Sequence, residues 1–343
     1  MKKRCTMGTD IVSAAPPPVR SQGPAFTRSS WWPLAKRTAT LVFFGLVVWL
    51  LVAQARSVDW AEVMVSIRAY PPQVLAAAAG FAIASYAMYC SFELLSRRYA
   101  GHKLSTPKVL AATFISYAFN LNLGAIVGGL GFRFRLYSQM GLPPDVISRV
   151  FGFTMLTNWL GYMALAGVVC VVQPLALPPE WEMGAVALSV LGAAMLALCG
   201  SYVALCGLST RRCWTIRGHE LCLPSFRLAV LQLVVSCITW MMIAAVIYVL
   251  LQHRADYFTV LAVLLVSAVA GIITHVPAGL GVTEAVFVTL LSPQIAQTEL
   301  LAALLVFRAV HYLMPLAQAT VLYALFEARL KIKGPIPPNE PLA

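Results

Sequence analysis

The chain reads as an all-α polytopic membrane protein with six full spans plus two re-entrant, Gly-broken helical hairpins in an inverted repeat. Three observations predict this. Hydrophobic residues fill 60% of the 343 positions and charged residues only 11%, a balance that requires a non-aqueous solvent. Apolar stretches long enough to cross ~30 Å of hydrocarbon recur along the chain. Two of these end in glycine-rich sequences, GAIVGGLG (124–131) and PAGLG (277–281), which interrupt a helix at membrane depth.

Taken in order, residues 1–37, with APPPV and scattered Ser, Gly and basic residues, predict a disordered basic cytoplasmic arm. A cleavable signal peptide is not expected, because the first apolar stretch begins after residue 37. A single transmembrane domain then covers 38–329, with full spans near 38–55, 73–95, 150–172, 184–208, 228–251 and 299–327 and hairpins near 109–127 and 258–276. The tail, 330–343, ends in GPIPPNEPLA and is too rich in proline to fold.

Charge placement decides between hairpins and crossings. Lys and Arg collect in cytoplasmic loops, whereas Asp and Glu carry little orientation information. With both glycine-ended segments returning to their own side, 21 basic residues fall inside, three (Arg56, Arg68, Arg254) fall outside and Arg308 lies within a span. If both segments crossed, Arg133, Arg135, Arg149 and the 211–227 cluster would move outside, Arg254 would move inside, and the balance would drop to 15 against nine. The hairpin arrangement is therefore preferred, with both termini cytoplasmic. The net charge of +12 follows from the same bias, and nucleic acid is not an expected partner.

The eight cysteines suggest no disulfide framework. Cys90, Cys170, Cys199, Cys206 and Cys237 lie in spans, where cysteine is a small apolar residue. Cys5, Cys213 and Cys222 fall on the side expected to be reducing. Cys213 and Cys222 flank His219, but three ligands at this spacing fit no zinc pattern, so no metal is expected.

Laid over one another with a shift of 150, GGLGFRFRLYSQMGLP (128–143) meets AGLGVTEAVFVTLLSP (278–293). Gly129 and Gly131 fall on Gly279 and Gly281, Tyr162 on Tyr312 and Asn158 on Arg308. The repeat units are about 106–172 and 256–327, the first entering from the cytoplasm and the second from outside. Such inverted units form sites at the midplane, between broken helices.

Pro277 has no N–H and biases His275 and Val276 away from helix, so a half-helix ends there and a second begins near Val282. The corresponding start in the first unit is expected near Phe132. Such breaks survive at membrane depth only where protein or water lines them, which implies a polar cavity. The free amides of a half-helix favour an anion there. Arg133 and Arg135 are either cavity residues or cytoplasmic anchors. Arg308 lies within a span with His311 and Tyr312 on the same face, and needs a partner; Glu284 is the best candidate, as a structural pair or as part of a ligand site. Asn120, Asn122, Asn158 and Tyr162 offer hydrogen-bonding groups or simple helix packing. Glu93, four residues before Arg97, is read as a snorkelling pair with it.

GHKL (101–104), SYAFNLNL (116–123), GGLGFRFRLYSQMGLP (128–143), TNWLGY (157–162) and HVPAGLGVTEAVF (275–287) resemble the YbhN-type bacterial inner-membrane proteins, within the wider group that shares the membrane domain of lysylphosphatidylglycerol synthases. The resemblance covers about 31–330. It implies lipid translocation, since in the synthases this domain is taken to flip the lipid that a separate soluble domain makes. The expected partner is an anionic membrane phospholipid. A small-solute or ion-coupled transporter and an intramembrane lipid-modifying enzyme remain as alternatives. No P-loop, dinucleotide fingerprint, HExxH or GxSxG is present, so neither a cofactor nor an enzyme is the primary expectation.

Overall fold

The computed structural model describes residues 60–172, 184–210, 213–216, 219–274 and 279–333, with isolated positions at 38, 45, 49, 52 and 56. The chain divides into two units, Met1–Trp49 and Leu50–Ala343. In the first, the described residues are Thr38, Gly45 and Trp49, all helical. The basic arm and most of the first expected span, 38–55, therefore lie outside the described residues, as do His275, Val276, Pro277 and the tail beyond Lys333.

The second unit is an all-α polytopic membrane domain. Seven of its described helical runs are long and apolar enough to cross a membrane. A short helix α1 (Trp60–Ala69) precedes α2 (Pro72–Ala100), which begins at a proline and ends at Gly101 in the left-handed conformation, φ 74°. The first hairpin follows: α3 (Thr106–Gly124), a π-helical segment π1 (Ala125–Gly131) and α4 (Phe132–Gln139). Next come α5 (Pro144–Val172), α6 (Ala185–Leu208) and α7 (Phe226–Leu250), the last capped by the Ser225 hydroxyl accepting from the Leu228 amide. The second hairpin consists of α8 (Tyr257–Thr274) and α9 (Val282–Leu291). The final run is α10 (Gln297–Phe307), π2 (Arg308–Leu313) and α11 (Met314–Lys333), so residues 330–333 are helical rather than part of an unfolded tail.

The chain reverses within 106–139. Phe119 and Phe132 stack with ring centroids 4.0 Å apart, yet thirteen residues of continuous helix would separate them by roughly 20 Å. The reversal falls at Gly124, φ 82° and ψ 171°, and the returning arm starts at Ala125. The expected start near Phe132 is thus corrected by seven residues: Gly128 and Gly129 lie inside the returning arm. Gly128 permits the two arms to touch, since a Cβ there would collide with the Phe119 carbonyl. In the second hairpin α9 begins at Val282, as expected, with Gly281 at φ 76°. Gly279 approaches Gly271, where a Cβ would lie 3.8 Å from the Gly279 Cα, so this segment also turns back.

Without a hydrophobic force between helices in lipid, small residues and interhelical hydrogen bonds carry the packing. α2 lies against α7 and α5. Gly161 of α5 sits on Ser236 of α7, and Gly167 of α5 faces Gly192 of α6, each leaving no room for a Cβ. Tyr202 of α6 donates to Gln232 Oε1 (2.9 Å), while Gln232 Nε2 donates to Thr157 Oγ1 (2.8 Å), tying α6, α7 and α5 together.

Two features of the 209–225 loop differ from expectation. Strands β1 (Cys213–Ile216) and β2 (His219–Cys222) pair antiparallel, and Cys213 and Cys222 form a disulfide, with Cα atoms 4.0 Å apart. The register sets the two cysteines directly opposite one another, which the loop's sequence spacing alone does not reveal. The hairpin is fastened to the end of α2 by Tyr99, whose hydroxyl donates to the Cys222 carbonyl at 2.6 Å.

Candidate functional site

At each hairpin an arginine clasps a glycine carbonyl and a glutamate. In the first, Arg133 Nη1 donates to the Gly129 carbonyl at 3.0 Å and Nε donates to Glu93. In the second, Arg308 Nη2 donates to the Gly279 carbonyl at 2.9 Å and to Glu284 Oε2 at 2.8 Å, while Nε donates to Glu284 Oε1. Gly129 and Gly279 are the glycines that the shift of 150 superposes. The charges are exchanged between the two. Arg133 rides on the first hairpin and meets a glutamate from α2; Glu284 rides on the second and meets an arginine from π2.

The surroundings differ sharply. Glu93 also accepts from Thr113 Oγ1 (2.8 Å) and from Tyr137 Oη, and Arg133 Nη2 donates to Tyr89 Oη at 3.3 Å. Both side chains of this pair are 0% exposed. A fully hydrogen-bonded pair excluded from solvent is a structural tie. This corrects two expectations: Glu93 does not pair with Arg97, and Arg133 is neither a surface anchor nor a cavity residue. Arg97 Nη1 instead donates to the Leu104 carbonyl and Thr106 Oγ1. Arg135 lies at the end of the bundle with Glu327 (2.9 Å) and Tyr323, away from Arg308.

Arg308 and Glu284 remain 10% and 21% exposed. The guanidinium lies 5.8 Å from the centre of the Tyr312 ring. Glu284 stands in the first turn of α9, where the helix N-terminus favours negative charge. The π2 segment joins the clasp to the first hairpin: Asn122 Nδ2 of α3 donates to the Tyr312 carbonyl at 3.3 Å, and Tyr86 Oη of α2 donates to the His311 carbonyl at 3.1 Å. The His311 ring stacks on Phe307, and its Nδ1 is buried without a hydrogen-bond partner, as is Asn122 Oδ1. Arg308, Glu284, Gly279, Gly281, His311, Tyr312 and Asn122 thus gather around one segment.

Asn158 and Tyr162 do not join them. The Asn158 carbonyl accepts from Ser236 Oγ and Trp240 Nε1 of α7, and Tyr162 Oη donates to the Leu265 carbonyl of α8 at 2.9 Å. Gly131 lies within the helical returning arm. Outside the spans, burial and then Arg97 nearby lower the pKa of His102 of GHKL. Sequence reasoning missed Tyr86, Glu93 as the partner of Arg133, and Gly124 as the pivot. Arg133, an arginine inside an apolar hairpin, was the available signal that a buried acid had to exist. Among the described residues, no three His, Cys, Asp or Glu side chains are grouped to hold a metal.

Residues 38–319 match the family model of the lysylphosphatidylglycerol synthase TM region. The Escherichia coli inner membrane protein YbhN is 43% identical over 301 residues, covering 88% of this chain and 95% of that protein. An uncharacterised Synechocystis protein is 28% identical over 287 residues, covering 83% and 89%. A phosphatidylglycerol lysyltransferase of Staphylococcus epidermidis is 29% identical over 93 residues, 26% of this chain and 11% of that protein.

Proposed function

Because the chain belongs to the lysylphosphatidylglycerol synthase transmembrane family, we propose that it moves a phospholipid with an anionic headgroup between leaflets by alternating access. The observation that carries this reading is the part-exposed Arg308–Glu284 clasp at the tip of a reversed helical hairpin. An unaccompanied headgroup charge faces a large cost in hydrocarbon, on the order of ten kcal/mol. A guanidinium beside a helix N-terminus offsets part of that cost for a phosphate.

In the present arrangement Glu284 occupies the Arg308 donors. A lipid phosphate competes with that carboxylate for the same guanidinium, and displacing Glu284 releases the tie between α9 and π2. Binding and hairpin movement are thereby linked through one interaction. The two hairpins act as the inverted units, each opening toward its own face of the membrane, with both termini in the cytoplasm as the basic residues favour. The name of the staphylococcal relative speaks of phosphatidylglycerol, which supports an anionic lipid as cargo.

The test is leaflet transfer of labelled phosphatidylglycerol in proteoliposomes. The wild-type protein should accelerate transfer, and Arg308→Ala and Glu284→Ala should each abolish the gain. Equal rates with and without protein would defeat the proposal, and undiminished transfer by both variants would reduce the clasp to a structural pair.

A further inference from the structure

A cavity of 530 Å³ lies beside π2, between α2, α3 and α11. Its size falls within the ~300–1,000 Å³ typical of small-molecule sites. The α2 wall is one helical stripe running from Ala79 to Cys90, and the alanines at 79, 82 and 87 make it concave. At 1.5 Å per residue the stripe is roughly 16 Å long, close to half of the ~30 Å hydrocarbon core. That is the depth occupied by the chains of a single leaflet.

The mouth is formed by Ile83 and Met314, 71% and 44% exposed on membrane-spanning helices, so it opens sideways onto hydrocarbon. The back wall is Tyr86, whose hydroxyl already donates to the His311 carbonyl, leaving the surface it offers apolar. Val310, two residues from Arg308, lines the same space. The groove therefore leads from the lipid-facing surface to the segment that carries the clasp.

We infer that this groove holds one acyl chain of a membrane phospholipid. The occupant follows from what the opening faces: a sideways recess in a spanning bundle meets alkyl chains, and its depth matches one. As a part of transport, this inference rests on the reading of the chain as a lipid translocase; as a binding site, it does not. The groove recognises the tail, whereas the clasp recognises the headgroup.

The test uses the full-length protein in liposomes containing phosphatidylglycerol with a diazirine in one acyl chain, photolysed and mapped by mass spectrometry. Adducts should concentrate on Ile83, Ala87 and Met314, above those on the exposed face of α6 at Leu198 and Leu205, where the membrane is met without a recess. A phosphatidylcholine probe with the same chain should give the same pattern. Ala87 is exposed, so Ala87→Trp fills the groove without burying the new ring in the core, and should remove the adducts at Ile83 and Met314 while leaving those on α6. Even labelling of α2, α6 and α11, a pattern unmoved by Ala87→Trp, or cross-links to a second copy of the chain would overturn the inference. Leaflet transfer on the same liposomes separates the two claims. Groove labelling without any transfer keeps the site and sinks the translocase reading; transfer with even labelling does the reverse.

Discussion

Arg133 and Arg308 make nearly the same contacts and live in different surroundings. Each donates to the carbonyl of a shift-related glycine and to a glutamate. The Arg133–Glu93 side chains are wholly buried, with Thr113 and Tyr137 both donating to the carboxylate oxygen that Arg133 Nε does not engage. The Arg308–Glu284 pair keeps part of its surface open. In our proposal the same chemical parts act as a rivet when sealed and as a site when a competing anion can reach them. Exposure, rather than residue type, separates the two roles.

The largest effect is expected where the comparison is sharpest. Arg133→Met takes the cationic partner of Glu93 out of the core and should cost about 3–5 kcal/mol, seen as a large fall in the thermal midpoint in detergent. The double variant Arg133→Met, Glu93→Leu removes both charges and should recover most of the loss, because well-packed apolar residues often replace a buried pair without penalty. A single variant as stable as wild type, or a double variant no better than the single, would break the distinction drawn here.

Next come the glycines, which serve the two hairpins for different reasons. Gly128 is sterically required against the Phe119 carbonyl, whereas Gly281 has space but a left-handed φ of 76°. Gly128→Ala should cost about 1–3 kcal/mol through overpacking, and Gly281→Ala about 1–2 kcal/mol through backbone strain. The decisive comparison is asparagine, which tolerates the left-handed region. Gly281→Asn should melt above Gly281→Ala, while Gly128→Asn should melt below Gly128→Ala.

These contrasts also mark what the sequence could reveal. Hydropathy located the five full spans after residue 72 because crossing hydrocarbon needs length and little else. The charge sorting argued for two reversals, and the need of an intramembrane arginine for a partner selected Glu284, which the structure places on Arg308. The pairing of Arg133 with Glu93 was hidden, since it joins positions forty apart through tertiary packing, and Glu93 had a plausible local partner in Arg97. Gly124 was passed over in favour of the denser glycines after it, which are needed for close approach rather than for the turn. The β-hairpin had a faint signature in CWTI and HEL flanking Arg217-Gly218, too short to stand out beside the spans.

Smaller in stability, but larger in function, is Arg308→Lys. An ammonium acts as a point charge and cannot reproduce the planar fork that meets both carboxylate oxygens and a carbonyl. With the pair already part-exposed, the thermal midpoint should move less than for Arg133→Met. Leaflet transfer should nevertheless be lost. A variant that melts early yet transfers lipid normally would mean that the second clasp is a rivet like the first.

The smallest expected effect concerns the disulfide, and the accessibility of its cysteines tests which hairpin opens to which side. Tyr99 fastens the Cys213–Cys222 loop to the end of α2, from which the chain passes directly through 101–105 into the first hairpin. In the orientation we propose, basic-residue sorting, 21 against three, puts this end in the cytoplasm, whereas disulfides persist mainly in oxidising compartments. The sorting is the stronger constraint, because strand register alone sets these two cysteines opposite one another and any oxidant that reaches them can join them. Cys213→Ser with Cys222→Ser should therefore shift the thermal midpoint less than Gly281→Ala and leave transfer unchanged. In wild-type cells treated with reductant and a membrane-impermeant maleimide, Cys213 should be labelled only after permeabilisation. Labelling in intact cells would invert the topology and turn the open Arg308–Glu284 clasp toward the cytoplasm.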